Sequence, residues 1–121
     1  MAELDISNQV VRHILETLEE GKAIDTVLLK VQKISSFTDF MIVSSGRSTR
    51  QVKSLVRRVK DCLSTKGIKP IGIEGENTGE WVLMDYGDIV LHVMQPGARD
   101  FYQLEKLWGK AGGVGKRSGE G

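Results

Sequence analysis

Cysteine is nearly missing from this chain. A single thiol, Cys62, in 121 residues excludes an internal disulfide framework and any zinc knuckle built on CxxC pairs. Histidine occurs only twice, at positions 13 and 92. No apolar run approaches the roughly 20 residues that a membrane span needs. Neither sign of charge prevails: 17 Lys and Arg against 16 Asp and Glu leave a formal charge of +1. That balance excludes a wholly basic, histone-like nucleic-acid binder and leaves local patches open. The N-terminus carries Glu3 and Asp5 and lacks a basic segment followed by an apolar one, so no secretory signal is read there. The expected compartment is the reducing cytoplasm.

What is present suffices for a core. Leu, Ile, Val and Phe supply 35 residues, well above the roughly 20% typical of disordered chains. The length suits one domain. Ile6, Val10, Ile14 and Leu18, widened by Val11 and Leu15, predict a helix over 5–20, capped by Asp5 or Ser7 and stopped at Gly21. Strands are predicted over 26–31 and 38–44. Gly46 breaks the second, and Ser48 or Thr49 opens the clearest helix, with Val52, Leu55, Val56, Val59 and Leu63 on one stripe and Gly67 at its end. Three short strands follow at 68–73, 81–86 and 89–94. A last helix over 98–108 would bury Phe101, Leu104, Leu107 and Trp108. The order predicts an α/β (α+β) layer design, a single mixed five-stranded sheet with packed helices, occupying residues 1–110. Residues 111–121, glycine-rich and without apolar period, read as a flexible tail.

The near-zero net charge conceals two opposed blocks. Eight bases and one acid lie between Arg47 and Lys69, and Arg50, Lys53, Arg57 and Lys60 form one stripe opposite the apolar one. Such a stripe is a solvated helix face or a contact for nucleic-acid phosphates. From Glu74 to Asp88 there are five acids and no Lys or Arg, around Trp81. An acidic surface with an aromatic anchor suits a basic protein partner better than RNA. The competing reading makes Trp81 plain core. Within 81–94, a Tyr86-Gly87 loop would pair Asp85 with Asp88 and Trp81 with His92, placing Trp81, Leu83, Val90, His92 and Met94 on one face. A bulge at Gly87 would instead pair Met84 with Asp88. The bulge is preferred, because Tyr resists the positive φ that a two-residue loop would ask of it.

Catalytic constellations are scarce. His13 lacks an Asp, Glu, Cys or His four residues away, His92 sits in a strand among apolar neighbours, and both read as packed residues. Cys62 lies close to a buried stripe and reads as an inert thiol. The strand-to-helix segment Ser44-Ser45-Gly46-Arg47-Ser48 is a place where anions bind, yet it is neither a Walker A loop nor a dinucleotide fingerprint. Its strand-turn-helix form resembles the glycine-serine turn of the nucleotidyltransferase fold, whose chemistry needs paired carboxylates one residue apart on the next strand. Ile68-Lys69-Pro70-Ile71-Gly72-Ile73-Glu74 has no such pair, and Asp39 and Asp85 are no evident substitute. No catalytic residue, metal ligand or cofactor is therefore assigned.

Three co-ordered motifs carry a resemblance: TDFMIVSSGRSTRQVKSLV, then GEWVLMDYGDIVLHVM, then RDFYQLEKLW. In that order and spacing the chain, over roughly 5–110, resembles the Iojap-like proteins, the bacterial ribosomal silencing factors. The resemblance implies a nucleotidyltransferase-like fold without that activity. It further implies docking on the large ribosomal subunit through its fourteenth ribosomal protein, which blocks joining of the small subunit and represses translation; organellar relatives act in large-subunit assembly. Homodimers belong to the same implied picture. Carried over, the partner surface comprises Trp81, Met84, Asp85, Tyr86, Asp88 and His92, with Arg50, Lys53, Arg57 and Lys60 as an auxiliary ribosomal RNA contact. Two other classes stay open: a nucleotidyltransferase-type enzyme using the Ser45–Ser48 turn, and an RNA-binding module using the basic stripe.

Overall fold

The computed structural model describes residues 6–33, 36 and 38–98. They form α1 (Ile6–Glu20), β1 (Ile24–Lys30), β2 (Phe40–Ser45), α2 (Thr49–Ser64), β3 (Gly72–Glu74), β4 (Trp81–Asp85) and β5 (Ile89–Met94). The five strands make one sheet in the order β1-β2-β5-β4-β3. Only β2 and β5 run parallel; the other neighbours are antiparallel. The expected mixed five-stranded sheet is thus present. The predicted helix over 98–108 and the tail over 111–121 lie, apart from Ala98, outside the described residues.

Both described helices use the stripes read from the sequence. Val10, Val11, Ile14 and Leu18 of α1 and Val52, Leu55, Val56, Val59 and Leu63 of α2 meet Phe40, Ile42, Val82, Met84, Ile89, Leu91 and Val93 in one core. The alternation of strand side chains sends Met41, Val43 and Met94 to the other face, where they join Val27, Leu29 and Val31. Central β5 is buried on both faces because each face has its own apolar cluster, which accounts for its continuous apolar run.

Helix ends show how single residues set the geometry. At the end of α1, the Ala23 N–H donates to the Leu18 carbonyl (2.9 Å) and the Lys22 N–H to that of Glu19 (3.0 Å), a Schellman closure. Lys22, not Gly21, takes the left-handed conformation, at φ 65°. Gly21 serves another need, since a Cβ there would lie 2.6 Å from Leu55 Cδ2, where the two helices approach. The end of α2 repeats the closure, with Ile68 N–H to the Leu63 carbonyl (2.9 Å) and Gly67 at φ 77°.

Three sequence expectations are corrected. β3 is confined to 72–74, because Ile68 is spent on closing α2 and Pro70 has no N–H to give a ladder. β1 begins earlier, at Ile24, and carries a bulge before Val27 with Asp25 at φ 51°. The β4–β5 hairpin takes neither expected register. Trp81 pairs with Met94, Leu83 with His92 and Asp85 with Val90, while the Tyr86 N–H donates to the Ile89 carbonyl at 2.9 Å. The loop is Gly87-Asp88, with Gly87 at φ 88° as its first residue, so Tyr86 is never asked for a positive φ. A shift of two residues keeps the face that the two-residue-loop reading assigned to Trp81, Leu83, Val90, His92 and Met94. The preferred bulge is absent.

Candidate partner-binding surface

The hairpin places its residues on unequal ground. Trp81 and His92 are diagonal neighbours across the two strands, with ring centroids 5.9 Å apart. The indole N–H of Trp81 donates to His92 Nδ1 at 3.0 Å. His92 is 5% exposed, and burial pushes its imidazole down from 6.5 to about 4. It is therefore neutral at physiological pH, and because Nδ1 accepts, its proton sits on Nε2. Trp81 is half-buried, packed against the apolar cluster of Met41, Val43 and Met94. The pair is a fixed unit and His92 a support beneath the indole.

Met84 is removed from the surface expected of it. It points to the helix-packed face and is 0% exposed, in contact with the core of α1 and α2. Tyr86 also leans onto that core. Its hydroxyl is buried with no hydrogen-bond partner among the described residues, and burial, followed by the nearby Cys62 thiol, pushes its pKa up to about 12. Cys62 itself is half-buried, not sealed.

The turn gathers the remaining carboxylates. Asp85 Oδ1 accepts the Gly87 N–H at 2.8 Å, which holds the loop in shape. The Asp88 carbonyl accepts the N–H groups of Asp39 (2.8 Å) and Phe40 (3.0 Å), tying the turn to the start of β2. The Asp88 side chain is exposed and that of Asp85 partly so. The structure thus brings Asp85, Tyr86 and Asp88 together at the hairpin tip, four residues along β4 from Trp81.

The opposed charge blocks also meet in space. Lys60 pairs with Glu76 at 3.4 Å, and a Cβ at Gly79 would lie 3.1 Å from Lys53 Cε, so the loop after β3 rests on α2. Two members of the expected basic stripe face this loop. Arg50 and Arg57 are exposed and make no ion pair among the described residues.

The strand-to-helix turn is occupied by the protein's own groups. Ser48 caps α2, accepting the Gln51 N–H at 3.1 Å. The Gln51 side chain accepts the Arg47 N–H at 2.7 Å and donates to the carbonyls of Gly21 (3.2 Å) and Lys22 (3.0 Å). The Ser-x-x-Gln spacing is that of a capping box, with the reciprocal bond shifted to the preceding residue. Gly46 is buried, and a Cβ there would lie 3.0 Å from Val52 N. The N–H groups that a phosphate would seek are thereby partly consumed. No group of three or more His, Cys, Asp or Glu stands together as a metal site among the described residues. No helix among them is long and apolar enough to cross a membrane.

One surface residue escaped the sequence reading. Ile71, 74% exposed, is the large hydrophobic most open to solvent among the described residues. Its N–H donates to the Asp85 carbonyl at 2.7 Å, and its Cδ1 would lie 3.4 Å from a Cβ on Gly87. It therefore sits on the hairpin tip.

A mixed sheet backed by two helices, with an acidic, partly apolar tip and a strand-to-helix turn closed by its own glutamine, defines a domain of the α+β class. The chain belongs to the family described as "Ribosomal silencing factor during starvation", whose model matches residues 5–119. It is 46% identical over 95 residues, 78% of either chain, to the ribosomal silencing factor RsfS of Chromobacterium violaceum. A crystal structure of a protein from the same organism superposes with a TM-score of 0.84 at 40% identity, covering 94% of this chain and 90% of that one. A mouse protein named for mitochondrial assembly of the ribosomal large subunit is 31% identical over 98 residues, 78% of this chain and 43% of that protein.

Proposed function

We propose that this chain is a cytoplasmic, non-enzymatic steric inhibitor of translation. It docks on the large ribosomal subunit through a basic subunit protein, the fourteenth in the resemblance above, and blocks joining of the small subunit. One observation carries the reading: five carboxylates and no Lys or Arg between Glu74 and Asp88, on the β3–β4–β5 side of the sheet. Such a surface attracts a basic protein and repels bare phosphate. The family and the names of the bacterial and mouse relatives supply the ribosome as the setting. The docking surface comprises Asp85, Tyr86 and Asp88, with Trp81 at its far end and His92 holding the indole; Met84 takes no part. Arg50 and Arg57, exposed on α2, are an auxiliary contact for ribosomal RNA.

The enzymatic alternative loses support from Gln51, which fills the turn that a nucleotide would use. Centrifugation through a sucrose cushion with purified subunits tests the proposal. The protein is expected to pellet with large and not with small subunits. Equal partition between the two, or no pelleting with either, contradicts it.

A further inference from the structure

The sequence places the centre of the partner surface on the indole of Trp81, yet the open apolar side chain lies beside the far end of β4, on the hairpin tip. Ile71 precedes β3, the edge strand that closes the sheet order on this side. It is flanked by two stretches of bare main chain. A Cβ at Gly72 would meet nothing within 4 Å, and one at Gly87 would meet only Ile71 itself. Three acids lie near it along the chain and the ladder: Asp85, whose main-chain carbonyl takes the Ile71 N–H, Asp88 in the adjoining loop, and Glu74 at the end of β3. Lys69, two residues earlier, is the near base in sequence.

A singly exposed aliphatic side chain is ordinary and signifies nothing by itself. Three features here act together: an apolar anchor, an edge strand bared by glycine, and an excess of acids over the one near base. An edge strand offers backbone donors and acceptors to an incoming extended chain. An apolar contact at the centre of a charged rim is the arrangement in which one side chain dominates binding.

We infer that Ile71 is the apolar anchor of a docking edge, formed by β3 and the Gly87-Asp88 turn, for an extended segment of a protein partner rich in lysine or arginine. The segment lies along β3, its aliphatic stems cover Ile71, and its cations face Glu74, Asp85 and Asp88. RNA does not fit the same edge, because its phosphates would meet carboxylates. The inference rests on the large-subunit reading above and names the part of the surface that carries it.

The test compares wild type, Ile71→Lys, Ile71→Ser and Glu16→Lys for retention on purified large subunits and on protein-free large-subunit RNA. Glu16 is exposed on α1 and provides a charge change away from the edge. Ile71→Lys is expected to weaken retention on subunits by about tenfold or more, Ile71→Ser by less, and Glu16→Lys to stay near wild type. Equal retention of wild type and both Ile71 variants overturns the anchor while leaving the large-subunit reading intact. Loss of retention by Glu16→Lys as large as by Ile71→Lys reduces the effect to net charge and also overturns it. Retention on bare RNA that matches retention on subunits and ignores both Ile71 changes assigns the contact to RNA. Wild type that does not bind large subunits defeats the reading itself, and the anchor with it.

Discussion

The two ends of strand β4 behave differently. At its start, Trp81 is half-buried, hydrogen-bonded to His92 and packed on an apolar cluster. At its finish, Asp85 shapes a turn against which Ile71 stands 74% exposed. The large aromatic is held by the fold and half-exposed, and the smaller aliphatic is the more open of the two. An indole can be fixed by its own fold and still present a face to a partner. Here a histidine claims the N–H.

The contrast is broken most forcefully by comparing aliphatic truncations. Leu55, 0% exposed between the helices, is expected to cost about 2–5 kcal/mol on change to Ala, whereas Ile71→Ala stays within about 0.5 kcal/mol. Urea unfolding of the two variants measures both, and similar losses would mean that Ile71 is part of the core.

A second test titrates the Trp81 end. The folded-state pKa of His92 lies at about 4, below its ordinary 6.5, so between these values the unfolded chain binds more protons than the folded one. Stability from this group is full above pH 6.5 and is lost as the pH falls towards 4, by roughly 3 kcal/mol in total. His92→Gln should flatten that part of the profile in unfolding measured from pH 7 to 4. Identical slopes for wild type and variant would show that the imidazole is not held neutral.

Smaller effects sharpen the comparison at the helix ends. Lys22 holds a left-handed conformation without being glycine, so Lys22→Gly is expected to stabilise by up to about 1 kcal/mol, read from a raised thermal midpoint. The Lys60–Glu76 pair lies on the surface, and Lys60→Ala should shift stability by less than about 0.5 kcal/mol. A larger loss would make the contact between the acidic loop and α2 a structural joint.

Most of the architecture could be read from the sequence because it rests on repeating patterns. The stripes of α1 and α2, the strand β5 and the Ser48 cap follow from the periods 3.6 and 2 and from capping chemistry. The hairpin register was not legible, since it hangs on whether Gly87 stands first or second in its loop. Either choice satisfies the local pattern, and the partnership of Tyr86 with Ile89 decides it. Ile71 was misread for a related reason: Ile68-x-x-Ile71-x-Ile73 looks like one strand until Ile68 is taken up in closing α2. Met84 looked available because both faces of the hairpin are apolar, and only the position of the helices tells them apart.

Subunit joining in vitro gives the most direct test of the proposed function. Purified small and large subunits are mixed with rising amounts of the protein, and formation of the joined particle is followed by light scattering. Wild type is expected to reduce joining to completion near one copy per large subunit, and Ile71→Lys to require about tenfold more or greater. Joining that proceeds unchanged at saturating wild-type protein would contradict the account.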